Sequence, residues 1–308
     1  MARRRKGRPV HGWLVLDKPV GMTSTDAVSR VKRLYQAAKA GHAGTLDPLA
    51  SGVLPIALGE ATKTVSFVVE GLKGYRFSLC WGAETETDDA EGEVLETSDA
   101  RPDVEDIERV LPDFTGDIEQ VPPRYSAIKI EGARAYDLAR GGGEFELAAR
   151  EVRVDKLTIV EMPDKDHCTL EAACGKGTYL RSLARDLGRE LGCFGHVSAL
   201  RRTRVGPFRE SATISLDKLQ QLGHSAAGQE GLDAVLEPVE TALDDIPALA
   251  ISGDDAARLT RGQAVLLRGR DAPVMSGPVY ATSRGVLVAL GEVKRGELRP
   301  RRVFNLQG

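Results

Sequence analysis

The spacing of apolar and polar positions changes several times along the chain, and each change marks an element. His11 to Asp17 is almost continuously apolar and predicts a buried strand, while Ala27, Val28, Val31, Leu34 and Tyr35 recur at helical spacing behind Ser24 as the cap. Glu60 to Val69 predicts a second helix, and Tyr75 to Trp81 alternates as a strand. Residues 84 to 99 are too acidic for a core and predict a loop with a short strand at Val94 and Leu95, followed by a helix from Asp103 to Leu111. Arg150 to Val160 and His167 to Cys174 predict a hairpin turned at Pro163 and Asp164. Tyr179 to Leu191 predicts a helix with Leu180, Leu183, Ala184 and Leu187 on one face, and Val197 to Val205 returns as a strand. Strands and helices mingle without strict alternation, which points to an α+β fold rather than a doubly wound one.

Past residue 215 the pattern shifts. Leu216 to Leu222 predicts a helix, and the acidic stretch Gly223 to Asp245 reads as a connector. From Pro247 onward, short apolar runs such as Val265-Leu266-Leu267 and Gly285 to Leu290 are broken by Gly, Pro and charged turns, the pattern of a small β-rich barrel. The expected organisation is a basic, disordered arm over residues 1–10, a main domain over 11–240 and a small domain over 247–308. A chain of 308 residues supports that division. No apolar run is long enough to span a bilayer, and the basic N-terminus is not followed by the apolar segment of a secretory signal, so a cytoplasmic protein is expected. The four cysteines form no Cys-x-x-Cys pair and read as reduced, largely buried small hydrophobes, with no metal site.

The formal charge of -3 hides a segregated distribution. Residues 1–40 carry ten Lys or Arg against two Asp, residues 174–210 eight against three acids, and residues 258–308 ten against three. Acid concentrates in residues 84–120, fifteen against two, and in residues 211–257, nine against one. Phosphate binding depends on local basic density, so the three basic segments are expected to face a polyanion.

The chemistry centres on Gly41-His42-Ala43-Gly44-Thr45-Leu46-Asp47-Pro48-Leu49-Ala50-Ser51-Gly52. Glycines let this backbone approach a ligand, and Pro48 keeps Asp47 out of the helical region, so one carboxylate is displayed in a loop. From these residues alone, Asp-Pro fits a helix cap and first turn as well as it fits a site. Gly59 to Thr64 imitates the end of a phosphate loop but lacks its Gly-Lys-Ser/Thr sequence.

The same loop, continued through Val53-Leu54-Pro55-Ile56-Ala57-Leu58-Gly59-Glu60-Ala61-Thr62-Lys63, closely resembles the catalytic motif of the TruB family of tRNA pseudouridine-55 synthases. Further blocks follow in the family's order: Gly12 to Ser24 with its Lys-Pro-x-Gly turn, Gly74-Tyr75-Arg76, Thr85 to Gly92, Val121 to Ala127, and Cys174 to Leu183 followed by Asp186-Leu187-Gly188. They span roughly residues 10 to 215. Glu86 and Glu91 stand where the family often has Asp.

The resemblance implies a pseudouridine synthase fold on a mixed, largely antiparallel sheet, with a C-terminal RNA-binding domain similar to PUA. It implies Asp47 as nucleophile or base, Arg181 as the cation that pairs with and aims it, and Tyr75 as the ring that stacks on the target base. Tyr179 is implied beside that ring, with Thr178 and Gly177 letting the chain approach. His42 is implied to fill the place of the extruded base, and Asp89 to lie near the RNA. Lys18 is grouped with these RNA-facing residues, and the Lys18-Pro19 motif is expected to brace the Asp47 loop. The implied reaction needs no cofactor, and the implied partner is the T-arm of tRNA, bound by a monomer without protein partners. Two rivals from other classes are an RNA-binding module without chemistry and the catalytic subunit of an RNA-guided particle. A glycosidase would want a second opposed carboxylate.

Overall fold

The computed structural model describes residues 7–126, 128–130, 132–141, 143, 145–267 and 275–306. Its centre is a ten-stranded mixed sheet. Across the sheet run Ile214–Ser215, Gly12–Lys18, Ser51–Leu58, Gly195–Val205, Lys73–Trp81, His167–Cys174, Arg150–Asp164 and Gly116–Gln120, with Phe208–Arg209 and Ala40–His42 paired at the side. Only two of these pairings are parallel, Gly12–Lys18 with Ile214–Ser215 and Ser51–Leu58 with Gly195–Val205, so the sheet is mixed and largely antiparallel as expected.

The near-continuous apolar run at the start of the chain is explained by burial on both faces. Leu14 and Leu16 enter one core with Ala27 and Val31, whereas Trp13 and Val15 enter a second core on the opposite face. Leu180, Leu183, Ala184 and Leu187 all pack into the first core, as the helical spacing predicted.

Four expectations are corrected. The helix expected at Glu60–Val69 is a 3-10 turn, Gly59–Lys63, followed by a short α-helix, Val65–Glu70. Ser24 is the first helical residue rather than the cap; Thr23 accepts from the Asp26 amide, which frees Ser24 for another task. The Gly223–Asp245 stretch is not a loose connector. It contains the helix Gly228–Asp233 and the turn Val239–Leu243, and it buries Leu232, Val239 and Leu243 while Glu230, Asp233, Asp244 and Asp245 are exposed. Of the basic arm, Met1 to Lys6 lie outside the described residues, and residues 7–10 are tied down. Val10 is buried, and Arg8 donates to both Asp233 carboxylate oxygens at 2.6 and 2.7 Å.

The C-terminal unit, in its described residues, is a five-stranded sheet in the order Ala248–Ala250, Gly277–Ser283, Val286–Lys294, Glu297–Val303, Val265–Leu266, with the helix Gly253–Thr260. It has a small core of its own around Leu259, Val279 and Leu298. Leu287, Leu290 and Phe304 leave that unit to join the second core of the main sheet. Each such burial is worth about 1.5–3 kcal/mol relative to exposure. Lys63 adds a bond to the Val303 carbonyl at 2.7 Å, so the two units are docked by both apolar and polar contacts.

Candidate active site

The loop bearing Asp47 runs from Ala40–His42 to Ser51–Leu58, and side chains from three other elements grip its backbone. Ser24, buried, donates to the Leu46 carbonyl at 2.9 Å and accepts from the Leu46 amide at 2.8 Å. Arg202, only 2% exposed, donates to the carbonyls of Gly44 and Thr45 at 3.2 Å each and of Val53 at 2.8 Å. Lys18, wholly buried, donates to the carbonyls of Met22 at 2.7 Å, Pro19 at 2.9 Å and Pro48 at 3.4 Å. Gly21 donates a further bond to the Pro48 carbonyl at 2.8 Å. Two glycines are required by this geometry. Gly44 has φ +92°, and a Cβ on Gly52 would stand 2.3 Å from the Arg202 carbonyl oxygen.

Asp47 is therefore neither a helix cap nor buried. Its Oδ2 lies 2.9 Å from Arg181 Nη2, and 38% of its side chain is open to solvent. Arg181 is itself 7% exposed and sits in the first turn of the helix Leu180–Glu190. Its guanidinium donates to the carbonyls of Thr87 and Tyr125 at 3.0 Å each and meets Asp89 Oδ2 at 3.4 Å. Four contacts converging from three directions leave the fork one orientation. The start of the helix is fixed in turn by the buried Gln120 amide, which accepts from the Tyr179 amide at 2.7 Å and donates to its carbonyl at 3.1 Å.

The acidic block folds back onto this helix. Glu84, Asp88 and Asp89 are buried and meet Arg189, Arg185 and Arg181, arginines spaced four apart on one face. The reading of residues 84–99 as too acidic for an interior is corrected in this part, because each carboxylate there has a guanidinium opposite. Burial pushes the Asp88 carboxyl up to about 6, with Arg185 and then Arg181 opposing the shift. The basic segment 174–210 is corrected with it. Arg181, Arg185 and Arg189 are spent on this block, Arg201 on Asp17 and Glu210, and Arg202 on the loop carbonyls.

Tyr75, half-buried, lies directly opposite Arg202 across two neighbouring strands. Burial raises its phenol pKa, and the adjacent Arg202 guanidinium opposes that rise, with Asp47 adding to it. The Tyr179 phenol is raised by burial and by Asp47, which places both rings within the field of the same carboxylate. His42 sits on the short strand pairing with Ile56. Among the described residues its buried Nδ1 has no hydrogen-bond partner that meets ordinary geometry, and burial followed by the Arg202 charge lowers its pKa.

The structure thus gathers Asp47, Arg181, Asp89, Tyr75, Tyr179 and His42 around one loop. Lys18 is a correction to the RNA-facing group. Fully buried with three carbonyls around its ammonium, it braces the loop, and burial lowers its pKa to about 8. Thr178 bonds the Gly175 carbonyl at 3.3 Å and the Arg153 carbonyl at 3.4 Å, shaping the turn before Tyr179. Ser24, Gln120, Asp88 and Arg202 were missed. For the last, the signal was an Arg-Arg pair inside the strand expected from Val197 to Val205. Among the described residues, no group of three His, Cys, Asp or Glu is placed to hold a metal ion, and no helix is long and apolar enough to cross a membrane.

Comparison with known proteins identifies the family. The family model for the N-terminal domain of TruB family pseudouridylate synthases matches residues 32–180, and that for the tRNA pseudouridylate synthase B C-terminal domain matches 181–244. A tRNA pseudouridine synthase B of Bradyrhizobium diazoefficiens is 65% identical over 99% of this chain and 89% of its own length. One from Rhizobium johnstonii is 56% identical over 98% of each. Among solved structures, the matching chain of an H/ACA RNP bound to a substrate RNA containing 2'-deoxyuridine superposes with a TM-score of 0.74 at 26% identity, covering 99% of this chain and 92% of that one. A chain of a Cbf5-Nop10-Gar1 complex gives 0.73 at 26% identity, covering 99% and 91%. With its Asp47–Arg181 centre inside the matched span and relatives this similar across nearly its whole length, the chain belongs to the TruB family of pseudouridylate synthases.

Proposed function

We propose that this chain isomerises uridine-55 in the T-loop of tRNAs to pseudouridine, with Asp47 as the group that meets the ribose. The observation that carries the reading is an accessible carboxylate set 2.9 Å from a buried guanidinium in a loop pinned on both sides. In the reaction the N1–C1′ bond breaks, the uracil turns in place, and C5 bonds to C1′. C5 then gives up its proton and N1 takes one, so nothing is gained or lost overall. The uracil ring accepts the electron pair when N1 departs, so the chemistry calls for no redox cofactor. A carboxylate at Asp47 suits attack on C1′ or removal of a ribose proton, and both routes need the same placement. Arg181 aims it, and Asp89 holds Arg181 from the side away from the substrate.

The target base must leave its stack to reach this carboxylate. Tyr75 and Tyr179 supply rings and phenols around the extruded uracil, and His42, held neutral by burial, takes the place the base leaves. Residues 11–240 act as the catalytic unit, and the β-rich unit from 247 to 308 adds RNA contacts in the manner of a PUA domain. The chain works in the cytoplasm as a monomer without a protein partner. The names of the bacterial relatives support tRNA as substrate.

The test is tritium release from tRNA transcript labelled at uracil C5, comparing the wild type with Asp47→Asn. Release by the wild type and none by the variant is expected. A wild type that releases no label refutes the activity, and an equally active variant refutes the site.

A further inference from the structure

We propose that Arg202 is a positioning residue that sets the distance between the Asp47 loop and the ring of Tyr75, an inference that rests on the function proposed above. Arg202 lies on the one strand that pairs with both relevant neighbours. It is opposite Gly52, on the strand leaving the Asp47 loop, and opposite Tyr75, on the strand carrying the stacking ring. Its backbone therefore fixes the two strands, and its side chain ties down what they carry. The guanidinium takes three carbonyls, Gly44 and Thr45 just before Asp47 and Val53 just after the loop, and its charge opposes the rise that burial imposes on the neighbouring Tyr75 phenol.

This is an unusual use of a buried arginine. At 2% exposure its hydrogen-bond acceptors in the loop are neutral carbonyls rather than a carboxylate. Three charge-assisted bonds compensate a desolvated cation only while all three are made. Three different nitrogens of the planar fork, Nε, Nη1 and Nη2, take Val53, Thr45 and Gly44, an arrangement that the single ammonium of a lysine does not reproduce. Gly44, whose carbonyl the fork takes, stands at φ +92°, a conformation that calls for glycine, while a Cβ there would make only an ordinary contact of 3.6 Å with Arg202 Nη1.

Loss of the fork lets residues 44–47 drift relative to Tyr75 while Arg181 still holds Asp47 Oδ2 from the other side. A displacement of about 1 Å between reacting groups lowers a rate roughly 100-fold. The surfaces that bind the rest of the tRNA are untouched, so the loss falls on kcat and not on KM.

The test compares wild type, Arg202→Lys and Arg202→Gln in single-turnover tritium release and in tRNA filter binding. Both variants are expected to lose roughly 100-fold in the chemical step with binding within about twofold. A second readout separates positioning from mere support. Ultraviolet difference titration against the matching Tyr75→Phe proteins reports the phenol, which is expected to titrate higher in Arg202→Gln than in Arg202→Lys because only lysine keeps a cation there. Should both variants fail to fold, Gly44→Ala, strained by its positive φ, displaces the same loop while leaving Arg202 in place and is expected to lower kcat with unchanged KM. An active wild type with single-turnover rates within twofold in folded Arg202 variants overturns the inference. Rate losses that parallel losses of binding, or a phenol that titrates alike in Lys and Gln, overturn it equally. An inactive wild type instead counts against the function on which it rests.

Discussion

Two polar loops meet at Arg181, and they are held in opposite ways. The Asp47 loop has its backbone gripped by side chains from elsewhere, Ser24, Arg202 and Lys18, and this leaves its one carboxylate free to face outward. The acidic block at 84–89 reaches out with its own carboxylates, Glu84, Asp88 and Asp89, and consumes them on the arginines of the Leu180–Glu190 helix. One loop is stabilised so that a charge stays available, and the other by using its charges up. Arg181 belongs to both arrangements, since it touches a carboxylate from each.

Arg181→Met breaks the comparison at its shared point and carries the largest expected effect. It leaves the buried Asp89 without its cation and Asp47 without its guide. Breaking a buried pair costs about 3–5 kcal/mol, although the Asp47 side is partly screened by solvent. Urea unfolding is expected to show a loss in that range, and single-turnover tritium release a loss of at least about 100-fold.

Lys18→Met tests whether the loop depends on a buried ammonium. The Lys18 pKa falls from its ordinary value to about 8, so between about pH 8 and 10.5 the unfolded chain binds more protons there than the folded one. Stability from this residue therefore rises with pH across that window, by up to a few kcal/mol. The wild type is expected to gain on Lys18→Met as pH rises through it, measured by denaturant unfolding at each pH. A constant difference would show that Lys18 does not titrate differently in the two states.

Ser24→Ala carries the smallest effect. It strips both polar partners from the Leu46 peptide, and a buried unsatisfied group costs about 1–3 kcal/mol. Melting is expected to register that cost, with a rate loss of roughly tenfold and tRNA binding unchanged. A rate equal to wild type would mean that Arg202 and Lys18 hold the loop without it.

These contrasts also show what the chain revealed in advance. The apolar face of the Leu180–Glu190 helix was legible because Leu180, Leu183, Ala184 and Leu187 follow the helical period. Asp47, Tyr75 and Arg181 were legible through family resemblance, and the structure brings them to one place. What stayed hidden was the partner of each charge. A sequence counts Arg185 and Arg189 as basic surface and Glu84 and Asp88 as an acidic loop, because nothing local records that residues about a hundred positions apart neutralise one another. Ser24 was hidden for a related reason. Next to Thr23, either hydroxyl could cap the helix, and only the fold shows that the second turns to Leu46.

The central claim is that the Asp47 carboxylate is held where an extruded uridine arrives. Its most direct test is a crystal structure of Asp47→Asn bound to an RNA stem-loop carrying the T-arm. The account predicts the target base out of its stack, its ring against Tyr75, and the ribose C1′ about 3–3.5 Å from the residue 47 side chain. A base still stacked within the RNA, or one seated away from residue 47 and Arg181, would contradict it.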